Sequence, residues 1–207
     1  MKYTFRDFKI ERNCDKHYSD YRKYKPYLEM DFKKRCAYCN LHEEMITSYF
    51  EVDHFVPRKE FEKGWLQLET DYNNLMLSCP KCNKEKGSAF RGDLSVNYDN
   101  DLFYNPVDHD YNTVFFRDEF CGIASNDKKG NEMIVLLKLY RPIHNLAGIC
   151  DFSKRVIEKI EVKLKLLDVN CQDYKKLHEL KNELKSYYSD CRDVFTANYN
   201  NKEFEIE

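Results

Sequence analysis

At 207 residues and a formal charge of −2, the chain is long enough to bury a real core, and too near neutral to grip polyanions with its whole surface. Any basic surface must be local. No run of about eighteen apolar residues occurs, which excludes a membrane-spanning helix on length, and nine cysteines behind no secretory leader fit a reducing cytoplasm.

Taken in order, residues 1–17 carry Tyr3, Phe5 and Phe8 without a long period and read as a strand or an arm. Over 18–35, Tyr21, Tyr24, Leu28 and Phe32 recur every three or four residues, one helical stripe with Pro26 near its start or at a kink. This helix delivers Cys36. Two pairs follow, Cys36-Ala-Tyr-Cys39 and Cys79-Pro-Lys-Cys82. Zinc takes four thiolates tetrahedrally in closed sites, and a two-residue gap aims both sulfurs of a turn at one centre, so a structural Zn2+ on Cys36, Cys39, Cys79 and Cys82 is expected. A redox role needs only one such pair beside a βαβ pattern, which two distant pairs fit poorly; chance thiols are the other alternative.

Between the pairs, residues 48–56 read as a strand that Pro57 ends, residues 58–70 as a connecting loop, and residues 74–78 as a second short strand. Pro80 then opens a helix through Lys86, with Gly87 as its stop. The order strand, loop, strand, helix can gather Asp53, His54 and Asn83. Neighbours on a strand face opposite ways, so Asp53 and His54 share a site only if the strand twists or ends there, as Pro57 allows. A carboxylate and an amide oxygen are hard ligands suited to Mg2+, and an imidazole can take a proton from water near neutral pH. Taken singly, each residue has a plainer role: His54 a satisfied histidine, Asn74 a turn former, Asn83 a helix-surface residue. Cations flank the same stretch, in Lys33-Lys34-Arg35, Arg58, Lys59, Lys81, Lys84, Lys86 and Arg91, where phosphate would lie; the plainer reading is a solvated charged face.

Downstream, residues 90–112 are polar and irregular, punctuated by Asn105-Pro106; His109 between Asp108 and Asp110 is explained by loop composition. Residues 114–116 and 120–123 fit a short hairpin closed by Lys129-Gly130. Asn131 is a suitable N-cap for the apolar stretch 133–140, which Pro142 stops; a buried strand is the competing assignment. Two amphipathic helices follow, one from Asp151 with Phe152, Val156, Ile160, Leu164 and Leu167, the other with Tyr174, Leu177, Leu180, Leu184 and Tyr187. They read as an antiparallel pair without catalytic residues. The end of the chain holds Phe195, Tyr199, Phe204 and Ile206, which either pack back or dock a partner. His17 and His42 lack spaced partners. Cys14, Cys121, Cys150, Cys171 and Cys191 show no ligand spacing and are read as packing.

The text Glu51-Val-Asp53-His54-Phe-Val-Pro57, then Asn74-Leu75, then Cys79-Pro-Lys-Cys82-Asn83-Lys-Glu-Lys86-Gly87 resembles the HNH endonucleases, which have a ββα-metal site. The resemblance implies that His54 is the general base, that Asp53 and Asn83 bind the catalytic ion, and that Asn74 braces the loop, with Asn73 as its rival. The third motif position is often histidine in that family; Asn83 there offers oxygen and favours Mg2+ or Mn2+ over softer ions. Asn105-Pro106, the hairpin with Gly122 and the run ending Leu139-Tyr140-Arg141 extend the likeness to small HNH proteins encoded beside an ATPase in bacterial anti-phage systems. That implies a cytoplasmic DNA-cleaving subunit with an SMC-like or ABC-type ATPase partner that supplies DNA grip.

The expectation is therefore an α+β chain in one compact unit: an N-terminal arm and helix over 1–35, a zinc-braced nuclease core over 36–91, and a hairpin and helical scaffold over 92–207 suited to a partner. Its rivals are a zinc-braced binding module without chemistry, and an interaction scaffold built on the C-terminal helices.

Overall fold

The computed structural model describes residues 2–201. Its elements run β1 (Tyr3–Thr4), α1 (Lys25–Asp31), β2 (Glu51–His54), β3 (Leu75–Ser78), α2 (Pro80–Lys86), α3 (Tyr111–Val114), β4 (Phe115–Arg117), β5 (Ile123–Ser125), α4 (Lys128–Leu136), α5 (Pro142–Leu164) and α6 (Gln172–Asn198). The chain divides into two units, Met1–Glu119 with Ile123–Tyr140, and Phe120–Gly122 with Arg141–Glu207.

In the first unit, β2 and β3 pair antiparallel with Asp53 opposite Met76 and His54 opposite Leu75, and β1, β4 and β5 form a separate antiparallel sheet in that order of sequence and space. A lone two-stranded ribbon is marginal in water, so packing must hold it. Leu28, Phe32, Phe55, Leu68, Leu75 and Leu77 are almost wholly buried, each removing apolar area worth roughly 1.5–3 kcal/mol. Every residue of β3 is buried, which explains its unbroken apolar run where a half-exposed strand would alternate.

The helix starts show where pattern reading is least sharp. Residues 18–35 begin as a 3-10 turn, Tyr21–Tyr24, before α1, which has Pro26 in its first turn and ends ahead of Lys33 and Lys34, both at positive φ. Residues 58–70 are two 3-10 segments, Arg58–Lys63 and Leu66–Glu69, where a plain loop was expected. The second hairpin strand is Ile123–Ser125; residues 120–122 lie in the connection. Asp127, and not Asn131, caps α4: its carboxylate accepts from Gly130 N at 2.7 Å, so Lys129 and Gly130 lie inside the helix. Gly130 is needed there because a Cβ would lie 2.3 Å from Ser125 Oγ. Pro142 starts α5 instead of merely stopping its predecessor, being tolerated at a first turn whose N–H has no partner anyway.

The second unit is an antiparallel helix pair: Cys150 of α5 lies by Cys191 of α6, while further along α5 Glu161 Oε1 meets Lys185 Nζ, earlier on α6, at 2.9 Å. Ile157, Ile160 and Leu164 of α5 are buried, as are Cys191 and Phe195 of α6, with Tyr199 just beyond. Phe195 and Tyr199 thus pack inward; Phe204 and Ile206 lie outside the described residues. Cys121, Cys150 and Cys191 are buried thiols, whereas Cys171 caps α6 through Tyr174 N and Cys14 is only half-buried. Among the described residues, no helix is long and apolar enough to cross a membrane.

Candidate active site

The two cysteine pairs converge. All four Sγ atoms lie within 4.8 Å of one another, and Cys39 and Cys79 are 3.8 Å apart, close to the edge of about 3.8 Å that zinc–sulfur bonds of about 2.3 Å give a tetrahedron. Backbone hydrogen bonds set this up. Cys36 N donates to Leu41 O at 2.8 Å and Ala37 N to Leu77 O at 2.7 Å, fixing the first turn on β3; Cys79 caps α2 and Cys82 lies one turn along it. Burial opposes ionisation of Cys36, yet hydrogen bonds from Cys39, Cys79 and Cys82 hold it well below the usual thiol value. Cys82 is pushed well up by the other three thiols, and Cys39 by burial and its neighbours. Four buried thiols converging on one centre are a donor set that fits structural zinc.

Directly beside this knuckle, β2 ends at His54, and Asp53, His54 and Asn83 line one cleft of about 330 Å3 with Tyr21, Arg58 and Lys59. The strand's end lets adjacent residues share it. His54 is 5% exposed, and its Nε2 lies 2.9 Å from Glu69 O. A carbonyl only accepts, so Nε2 carries the proton and the lone pair of neutral His54 is on Nδ1. Burial lowers its pKa, favouring that neutral form. Tyr21 and Phe61 sit edge-on to the ring at 4.7 and 5.3 Å between centroids.

Asp53 is 6% exposed and held at both oxygens: Lys86 Nζ donates to Oδ1 at 3.0 Å and Tyr38 OH to Oδ2 at 2.6 Å. Burial raises its pKa despite these donors, a balance that a cation would reverse. Each oxygen keeps a second lone pair for a metal. Asn83 donates from Nδ2 to Glu51 Oε2 at 2.5 Å, leaving Oδ1 as the atom able to ligate. The two donors are hard oxygens and fit Mg2+ or Mn2+, with the remaining positions left to water and substrate.

Asn74 ties the loop after β2: its Oδ1 accepts from Val56 N at 2.8 Å, and its Nδ2 donates to Val56 O at 3.2 Å and Leu68 O at 3.0 Å. Asn73 bonds through its backbone, its N donating to Asp71 Oδ1 at 3.0 Å and its O accepting from Arg12, 61 residues away, at 3.4 Å. Lys86 corrects an expectation. Its ammonium is fully buried against Asp53 and His54 O, so it meets no phosphate. Lys81, Lys84 and Arg91 do not line the cleft; Arg91 faces Asp101 at 3.7 Å. Arg58 lines the cleft while paired with Glu69 at 2.7 Å.

Residues 36–89 match the HNH endonuclease family model. The HNH segment thus coincides with the zinc knuckle, the ββ ribbon, α2 and the cleft. Two curated relatives, each a Septu protein PtuB, are also similar. That of Bacillus thuringiensis is 31% identical over 68 residues, covering 31% of this chain and 25% of the relative; that of Bacillus mycoides (strain KBAB4) is 35% identical over 68 residues, covering 28% and 22%. The chain spans about a quarter of the length of the curated relatives it matches. No solved structure matches it.

Glu51, Tyr21, Tyr38, Phe61 and Glu69 of this site escaped sequence reasoning. Glu51 was findable, being two before Asp53 on one strand face. Tyr21 reads as part of a helical stripe, and Tyr38 as a spacer inside a CxxC pair. Nothing in the pattern separates them from packing.

Proposed function

We propose that this chain is a metal-dependent HNH endonuclease that hydrolyses DNA phosphodiester bonds as the nuclease of a bacterial anti-phage system. The observation that carries the reading is one cleft, within the HNH segment, lined by Asp53, His54 and Asn83. Similarity to PtuB proteins supports the defence setting, and the resemblance to HNH proteins encoded beside an ATPase supports a PtuA-like partner in a cytoplasmic complex.

In this reading Asp53 and Asn83 hold the divalent ion, Mg2+ or Mn2+, which when bound stabilises the charge that grows on phosphate oxygens. Nδ1 of His54 takes the proton from the attacking water. The Glu69 carbonyl fixes the ring and its tautomer so that Nδ1 faces that task. Asn74 holds residue 56 to Leu68 and so sets the strand end from which His54 projects. Phosphate contact at the rim falls to Arg58 and Lys59, and a partner supplies the wider grip that a chain of charge −2 lacks. The zinc does no chemistry.

The deciding experiment is cleavage of supercoiled plasmid by the purified chain with Mg2+ or EDTA, with and without an ATPase encoded beside it, with His54→Ala as control. Cutting that needs both metal and His54 is expected. Absence of cutting in every arm, with zinc bound and the fold intact, would turn the reading to a zinc-braced binding module.

A further inference from the structure

We infer that Tyr38 is a positioning residue for the divalent ion, tying the zinc knuckle to the carboxylate of Asp53; the inference rests on Asp53 being a ligand of that ion. Tyr38 lies between the two cysteines of the first pair and is wholly buried. Its hydroxyl donates to Asp53 Oδ2 at 2.6 Å, a short bond of the kind an ionised acceptor gives.

The arm carrying this hydroxyl is unusually fixed. Ala37 N is bonded to Leu77 O at 2.7 Å, and Arg6 donates to Ala37 O at 2.6 Å. On the far side of Tyr38, Arg117 donates to Cys39 O at 3.2 Å. The phenol cannot drift without moving a cysteine. The opposite oxygen of Asp53 takes Lys86 at 3.0 Å, and Lys86 sits one helical turn beyond Cys82 on α2. Both oxygens of the carboxylate are therefore clamped by side chains rooted beside zinc ligands, one from each pair.

A metal-binding carboxylate loses affinity when free to rotate, and removal of a partner that orients a ligand typically weakens metal binding about 10–100-fold. Tyr38→Phe keeps the ring that fills the core and deletes only the donor. If Tyr38 mattered for packing alone, Tyr38→Phe would leave metal affinity unchanged.

The test measures Mn2+ binding to the full, zinc-loaded chain without DNA, by the EPR signal of free Mn2+, for wild type, Tyr38→Phe and Asp53→Asn. Zinc content and melting are followed in parallel. Expected is weakening of about tenfold or more in Tyr38→Phe with zinc retained, and loss of cleft binding in Asp53→Asn. Unchanged affinity in Tyr38→Phe beside a defective Asp53→Asn overturns the inference and leaves the site assignment standing. Equal binding by wild type and Asp53→Asn overturns both. Should Tyr38→Phe lose zinc, 3-fluorotyrosine at position 38 serves instead. Its 19F resonance should shift on Mg2+ titration and stay fixed in the Asp53→Asn background; a resonance indifferent to Mg2+ in the otherwise native chain refutes the coupling.

Discussion

The unit bearing the HNH segment and the unit bearing the helix pair are held by different physics. In the first, β2 and β3 are four residues each and α2 is seven, too short to persist on backbone bonds alone. Beside a packed apolar core, order there draws on convergence: four sulfurs, a buried Lys86–Asp53 pair and the triple tie of Asn74. In the second, α5 and α6 run for 23 and 27 residues and meet along a seam of Ile157, Ile160, Leu164 and Phe195. One region depends on a few irreplaceable contacts, the other on a repeated and forgiving one.

Removing a zinc ligand is the hardest blow to that contrast. Structural zinc contributes on the order of 10 kcal/mol in small modules, so Cys82→Ser should lose zinc, near-UV order and cleavage while most far-UV helicity persists. Helicity falling in step with zinc would erase the distinction between the regions. His54→Ala should reduce plasmid cleavage about 10²–10⁴-fold with zinc content and melting unchanged. Ile160→Ala should cost about 2–5 kcal/mol by denaturant titration of the helical signal, leaving zinc bound. Asn74→Ala strands the buried Val56 N–H and should cost about 1–3 kcal/mol, read as an earlier melt of the HNH unit together with slower cutting. At the bottom of the scale, Lys185→Ala removes an exposed ion pair with Glu161 and should leave the melting curve in place.

Legibility follows the same divide. The helix pair was readable because its apolar positions repeat at helical spacing, and α2 because Pro80 and Gly87 bracket it; Gly87 indeed takes a positive φ. The α5 start was misplaced because Pro142 serves equally as a stop and as a first-turn residue. Asp127 and Asn131 are both good caps, and only the approach of α4 to Ser125 selects the former. The gathering of Asp53, His54 and Asn83 was legible through motif order. What surrounds them was not: a lysine in a basic run looks like a phosphate contact until a buried carboxylate is seen to claim it. Lys86 is that case. Tyr38 and Glu51 act through partners 15 and 32 residues away, beyond any local period.

The register of β2 on β3 pairs Glu51 with Ser78 and His54 with Leu75, so the ribbon is closed by a long excursion and not by a tight turn. Closing such a loop carries an entropic cost before any contact repays it. The final two zinc ligands lie beyond that excursion, at Cys79 and Cys82. During synthesis, the cleft residues from Tyr21 to Lys59 leave the ribosome before the second pair exists, and Asn83, Gly87 and Ser88 follow it. In the proposed reading the site for the catalytic ion can therefore be complete only after the second cysteine pair has been made, because Asn83 directly follows Cys82.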